Sequence, residues 1–446
     1  MKSGTKSKGV PIYLALLAVG LSQAHSLTLH EAQEILFQNN PDLAIMHLEV
    51  ERAEDQLQEA KAAWLPSVDA LGSYGYTTET SRLRFTLPLP PPANLSFDRP
   101  LGDHDKVELG VDATYALFTG FTRGRNLQSK REGVQVKEAQ WRGARNQASL
   151  KLAALYYAWQ MAQLQTSYQE KVVEHSQALQ KQLQDFVKAG TGVRSRALGA
   201  EARAKAAEVD LLASRNTRDS LGFELLDFLG SRDTTAFTAT ADLVLDSIAL
   251  PLPDWEDNQT PAETTRAETE AIDHAVAQSR FGRQALLGQK YPQLYGMAGY
   301  RYANPGLNLA EDAFMPYGLL GLQLKWNLFD GSKNRSQRKQ LEVQTRVLEE
   351  QKRKLEGEWW KAQRLARVQY ARWDTQFEAA RASRDAAAAS ASDLQRQFEV
   401  GLATGLDWLE ARNQAARAEM MMAQARTMQR LSLLQWRYAA GKEMRY

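Results

Sequence analysis

The stretch Val107-Glu108-Leu109-Gly110-Val111-Asp112-Ala113-Thr114-Tyr115-Ala116-Leu117 alternates without a break: every odd position is apolar and every even one is polar or small. Successive side chains of a β-strand point to opposite faces, so one face of this segment is apolar and the other polar. The strand closes on Phe118-Thr119-Gly120, and from about Arg123 the apolar period becomes helical. Leu320-Gly321-Leu322-Gln323-Leu324-Lys325-Trp326-Asn327-Leu328 repeats the design and closes on Phe329-Asp330-Gly331.

That recurrence covers the whole chain. Leu117-Phe118-Thr119-Gly120 and Leu328-Phe329-Asp330-Gly331 are 211 positions apart, as are Gly190, Leu198 and Ala200 from Gly401, Leu409 and Ala411. Pro66 and Pro292, each ahead of an alternating stretch, are 226 apart, and Asn40-Pro41-Asp42-Leu43 is echoed weakly at Arg266-Ala267-Glu268-Thr269. The difference of 15 residues is a longer loop in the first copy, which contains Leu87-Pro88-Leu89-Pro90-Pro91-Pro92. The chain is therefore a tandem duplication, and each copy reads helix, two strands, long helix, tight turn, long helix.

The first copy is expected to span residues 27–245, with strands near 67–76 and 107–117 and a helical hairpin near 123–229. Residues 246–270 form the linker. The second copy spans 271–446, with strands near 293–302 and 317–328 and a helical hairpin near 333–440. Pro/Asn/Gly-rich loops at 77–106 and 303–316 join the strands of each pair. The first long helix runs without proline to Ala189, and about 67 residues at 1.5 Å rise span roughly 100 Å. A globular domain does not house such a helix, so an elongated coiled-coil-like assembly is expected.

Residues 1–26 read as a secretory signal peptide: Lys2, Lys6 and Lys8, then the apolar run VPIYLALLAVGL, then Ala24 and Ser26. A membrane anchor is the competing reading, but twelve apolar residues fall short of the roughly 20 that cross a bilayer. Three lysines leave with the segment, which takes the formal charge from +2 to −1. A nearly neutral exported chain gives no reason to expect a nucleic-acid partner. The absence of cysteine excludes disulfides, thiolate metal sites and a lipid on an N-terminal cysteine.

Two strand pairs cannot close a barrel alone, and open strand edges are excluded from a bilayer. The strands have the length of tilted membrane strands, and Tyr74, Tyr76, Tyr115, Tyr300, Tyr302, Tyr317 and Trp326 lie near their ends, where an interfacial girdle would be. A soluble sandwich with one wet face would show the same alternation; the export signal and the helix length favour a barrel shared by several copies. On that reading Leu109, Val111, Leu322 and Leu324 face lipid.

The chain resembles the TolC-like outer-membrane efflux proteins from about Leu27 to Gly441. The resemblance rests on the duplicated Leu-Phe-x-Gly, on Leu65-Pro66 before the first strand, and on Phe-x-x-Gly-x-x-x-Gly-x-Asp-x-Leu-x-Ala from Phe398 to Ala411. It implies an α+β membrane fold: a homotrimer sharing a twelve-stranded outer-membrane barrel, four strands per chain, above a periplasmic α-helical tunnel. It implies a passive outer-membrane exit duct for a tripartite export system, with a periplasmic adaptor (membrane fusion) protein, an inner-membrane pump of the RND or ABC type and outer-membrane lipid as partners. The remaining motifs give no catalytic centre, cofactor or metal site, so no enzyme is expected.

In that family the two helix–turn–helix loops of each chain narrow the tunnel tip, and the turn motifs here are Gly190, Gly192, Gly401 and Gly405. The resemblance implies that Asp407 and Glu410 form an acidic ring that favours cations. They also fit ordinary first-turn acids at a helix start. Arg196 stands where the family often has aspartate, and two readings are open: it pairs with Asp407 or Glu410 to lock the tip, or it is a solvated surface arginine. Ala403 replaces a gate-linked arginine of some relatives.

Other motifs carry little. Gly190-Thr191-Gly192 follows a helix and lacks the third glycine of a dinucleotide fingerprint. The six histidines lack metal-ligand spacing, Met420-Met421-Met422 point around a helix in different directions, and no Ser/His/Asp set appears. An exported scaffolding coiled coil without a channel is the alternative to the duct.

Overall fold

The computed structural model of the protein describes residues 27–88, 94–101, 104–231, 266–304, 306–307 and 313–446. The expected signal peptide and most of the linker lie outside them. The elements are α1 (Leu29–Asn39), α2 (Pro41–Ala62), β1 (Ser67–Tyr76), β2 (Ser81–Pro88), β3 (Asn94–Leu101), β4 (Asp105–Phe118), α3 (Thr122–Lys188) and α4 (Arg194–Leu229). The second half holds α5 (Ala267–Gly288), β5 (Gln293–Asn304), β6 (Met315–Lys325), α6 (Lys333–Glu399) and α7 (Gly405–Ala439).

The duplication reaches the backbone dihedrals. Gly120, Gly190 and Gly230 have φ of 62°, 76° and 70°; Gly331, Gly401 and Gly441, each 211 positions on, have 61°, 80° and 72°. Phe121 and Ser332, at the strand-to-helix corners, share the same left-handed region at 68° and 71°. α3 and α6 are 67 residues each, and α2 and α5 are 22 each.

β1, β4, β5 and β6 form one antiparallel sheet in the order β1-β4-β5-β6, so β4 and β5 join the two copies side by side. The register sorts most side chains by polarity, with Asp105 on the apolar face and Leu71 and Leu319 on the polar one as exceptions. Val68, Leu109, Val111, Tyr300, Leu320, Leu322 and Leu324 share one face. Asp69, Glu108, Asp112, Arg301, Gln323 and Lys325 share the other. Leu320 is 93% exposed and Leu322 72%, so the apolar face has no cover within one chain. β1 and β6 each have one strand neighbour in this sheet, leaving both outer edges unpaired within it.

Three expectations need correction. The 77–106 connection is not simply a loop: β2 and β3 form a separate ribbon that stacks Phe85 on Phe97 at 5.0 Å and sets Asp98 between Arg82 (2.9 Å) and Arg84 (3.1 Å). Its proline-rich composition hides the alternation Leu83-Arg84-Phe85-Thr86-Leu87. The last strand ends at Lys325, not Leu328, because β5 begins at Gln293 opposite Lys325 and offers no partner beyond it. The linker is four residues shorter at its end, since α5 starts at Ala267. Arg266 anchors that start: it is 8% exposed, its guanidinium donates to the Ala439 carbonyl (2.6 Å) and the Tyr438 carbonyl (2.9 Å) at the end of α7, and it stacks on Trp359. The Tyr438 carbonyl also accepts from the Gly441 N–H (3.0 Å) and the Ala439 carbonyl from Gln363 Nε2 (2.8 Å), and both carry the negative end of the helix dipole, which suits a cation.

The helices pack as pairs, α3 with α4 and α6 with α7, while α2 and α5 line α3 and α7 touches it. The densest core gathers Leu36, Leu152, Leu225, Leu229 and Leu434 from α1, α3, α4 and α7. The last residues close over it: Gln33 Nε2 donates to the Met444 carbonyl at 2.6 Å, and the Tyr446 hydroxyl donates to the Ser149 carbonyl at 2.8 Å. α6, by contrast, buries only Asn334, Ala366 and Ala387 along its length, and Val343, Val347, Trp360, Leu365 and Val368 stand exposed on it.

Candidate functional site

The two hairpin turns end the long helices in the same way. After α3, the Thr191 N–H donates to the Phe186 carbonyl at 3.0 Å; after α6, the Leu402 N–H donates to the Gln397 carbonyl at 2.8 Å. Gly190 and Gly401 supply the left-handed residue that this closure needs. Gly192 is required by space: a Cβ there would lie 2.6 Å from the Val187 backbone nitrogen. Gly405 packs close to the first hairpin, since its Cβ would lie 3.2 Å from Gln182 Oε1 and 3.3 Å from Leu179 Cδ1 of α3.

The helices that leave the turns start differently. α4 begins at Val193 without a capping side chain, whereas α7 begins with a capping box. The Asp407 N–H donates to Thr404 Oγ1 at 3.2 Å, and the Asp407 carboxylate accepts from Thr404 Oγ1 (2.5 Å) and from the Thr404 N–H (3.1 Å). These bonds from Thr404 hold the Asp407 carboxyl below the usual carboxylate range. Within one chain Asp407 is thus the N3 partner of the Thr404 capping box. Glu410, on the same helix face, is exposed and makes no ion pair among the described residues. Arg196 is exposed too, and within one chain nothing among the described residues pairs it with Asp407 or Glu410. Trp408 lies flat on Phe398 at 5.3 Å, and Arg412 covers the Trp408 ring.

Above the tip, two polar contacts tie the hairpins together. The buried His175 of α3 hydrogen-bonds Asn413 Oδ1 of α7 at 3.0 Å, and Lys171 reaches Glu419 at 3.7 Å.

At the sheet, Tyr74, Tyr300 and Tyr302 lie on the apolar face toward the end that carries the ribbon, and the Tyr74 hydroxyl donates to Asp105 at 2.7 Å. Tyr115 lies on that face at the helix end. Trp326 lies just past β6, where its indole N–H donates to the Lys290 carbonyl at 3.0 Å. Tyr317 differs: it stands opposite Arg301 in the register and so belongs to the polar face.

The polar face holds a group that sequence reasoning did not single out. Arg301 is 8% exposed; its Nη1 and Nη2 donate to the two Asp112 oxygens at 2.6 and 2.7 Å, and its Nε reaches Glu108 at 2.5 Å. The side chain crosses Gly110, where a Cβ would lie 2.7 Å from Arg301 Cδ. The signal in the sequence was two acids at strand positions i and i+4 around a glycine, but their partner is 189 residues away. Among the described residues no helix is long and apolar enough to cross a membrane, and no cluster of His, Cys, Asp or Glu is placed to hold a metal ion.

A two-faced antiparallel sheet with open edges stands on two helical hairpins whose longer arms, 67 residues each, span about 100 Å. The family model for the outer membrane efflux protein matches residues 33–231 and 270–442. The chain belongs to that family, whose members are outer-membrane efflux ducts with a periplasmic helical tunnel. Its fold is that of the Campylobacter jejuni CmeC outer membrane channel, at TM-score 0.73 and 14% identity, covering 94% of this chain and 87% of that one. The open state of the Neisseria gonorrhoeae MtrE outer membrane channel gives 0.72 and 16%, covering 94% and 89%. The outer membrane protein VceC of Vibrio cholerae gives 0.69 and 16%, covering 93% and 96%. No curated protein matches the chain in sequence.

Proposed function

We propose that three copies of the chain close one barrel and form the passive exit duct of a tripartite export system. The supporting observation is the sheet: four strands whose charges, Asp105 at the ribbon end apart, lie on one face and whose long apolar side chains cover much of the other, with both edges open. A bilayer admits such a sheet only when it is closed, with the apolar face on lipid. The bare length of α6 supports the same assembly, because its exposed Val343, Val347, Trp360, Leu365 and Val368 need cover that a second copy supplies. Native mass measurement of detergent-extracted protein should give a trimer. A stable monomer refutes the assembly.

The periplasmic tip is the gate, and it opens when the adaptor and pump dock. Within the pair Asp407 and Glu410, Glu410 supplies the charge that faces the opening, since the Asp407 carboxylate is held by Thr404. Planar-bilayer recordings of the parent against Glu410→Ala and Asp407→Ala test this division. Glu410→Ala should weaken cation preference and block by multivalent cations, and Asp407→Ala should act mainly by loosening the start of α7. If neither changes selectivity, the constriction lies elsewhere. Arg196→Ala should raise conductance if this residue locks the tip against a neighbouring copy, and leave it unchanged if the arginine is solvated.

A further inference from the structure

The polar face of the sheet carries three acids, Asp69, Glu108 and Asp112, and three bases, Lys106, Arg301 and Lys325. Lys325 lies at the helix end and Lys106 one same-face step beyond Glu108 toward the ribbon end, so Arg301 is the one base set between Glu108 and the Asp69/Asp112 pair. Asp69 faces Asp112 directly in the register. The guanidinium of Arg301 is engaged by Asp112 and Glu108 together. Its side chain is 10% exposed, while the carboxylates that hold it are 38% and 37% exposed. Gly110 and Gly299 make room for it: a Cβ on Gly299 would lie 2.6 Å from Asp112 Oδ1 and 3.4 Å from Arg301 Nη1. A long cation that would otherwise project from the sheet is laid flat against it.

We propose that Arg301 sets the ion preference of the barrel: it engages two of the three acids at its level and cancels one of their three charges while staying out of the bore. The proposal rests on the reading that the polar face lines a closed barrel. With Arg301 present, each chain contributes a formal −2 at this level; without it, −3, in a confined space where like charges reinforce one another's pull on counter-ions. Arg301 thereby keeps the outlet from trapping multivalent cations on their way out. A tie between β4 and β5 alone would need the hydrogen bonds but not this charge balance, so the two roles separate by experiment.

The test uses purified full-length protein in planar bilayers, in the Asp407→Ala/Glu410→Ala background so that the tip does not dominate. The comparison is between Arg301 and Arg301→Gln, with hexamminecobalt(III) added on the barrel side. Arg301→Gln should raise cation-over-anion permeability several-fold and create a block by the trivalent ion at concentrations that leave Arg301 channels open. Glu108→Gln/Asp112→Asn, which leaves the arginine uncompensated, should shift permeability toward anions; it also serves if Arg301→Gln does not assemble. Channels whose selectivity and block ignore both changes, with only trimer stability reduced, overturn the proposal and leave Arg301 a strand tie. If the parent forms no channel at all, the duct reading falls first, and this proposal with it.

Discussion

Leu320→Arg tests the central geometric claim, that the Leu109/Val111/Leu320/Leu322 face meets lipid. Leu320 is the middle residue of β6, opposite Ala298, and is 93% exposed in the single chain. An arginine at the bilayer midplane of a barrel's lipid face costs about 2–4 kcal/mol. Three copies in one barrel place three such side chains in lipid, so the penalty per assembly is roughly 6–12 kcal/mol if the sites are independent. That rivals the whole stability of an ordinary domain, roughly 5–15 kcal/mol, so assembly should fail or become marginal. Gln323→Arg is the control: it lies on the polar face, opposite Tyr295, and should be tolerated. The readout is the fraction of protein recovered as trimer in urea-washed outer membranes, with denaturant midpoints for whatever assembles. Leu320→Arg assembling like the parent while Gln323→Arg does not would invert the assignment of the faces.

The remaining expectations concern the helices. Arg266→Met removes a buried cation from the last carbonyls of α7 and should lower stability by about 2–4 kcal/mol, read as a denaturant midpoint, with retained stability refuting the anchoring role. Gly401→Ala forces a side chain into φ 80° and should weaken the second turn by about 1–2 kcal/mol, visible as faster amide exchange at Leu402. The Asp407 carboxyl is depressed by Thr404, so the cap's contribution is complete above the ordinary carboxylate range and is lost as pH falls through the depressed value. The Asp407 amide should therefore lose protection, measured against its intrinsic exchange rate at each pH, on acidification in the parent and show no such step in Thr404→Val. Asn413→Leu removes the partner of buried His175 and should raise the resting conductance if the α3–α7 tie holds the tip narrow.

Features whose causes lie within a few residues were legible in the chain itself. The alternation of β4, the glycines that close both helical hairpins, the length of α3 and the 211-residue repeat all follow from local periodicity and local backbone sterics. The β2–β3 ribbon escaped because proline and polar residues around it resemble a loop, while its pairing depends on Phe85 meeting Phe97 across the turn. Glu108, Asp112 and Arg301 each read as an ordinary polar strand position. Only the β4–β5 register, set by antiparallel pairing between the two copies, brings the guanidinium over Gly110 and between the two carboxylates. Arg266 was likewise hidden in an expected linker, because the groups it caps, Tyr438 and Ala439, are 172 and 173 residues away. Asp407 could be seen as an acid near a turn, but whether its carboxylate faced an opening or its own helix start depended on the Thr404 rotamer. Local sequence dictates elements because their hydrogen bonds close over short spans; charge partners across a sheet are chosen by register, which is fixed only when the whole apolar face finds its cover.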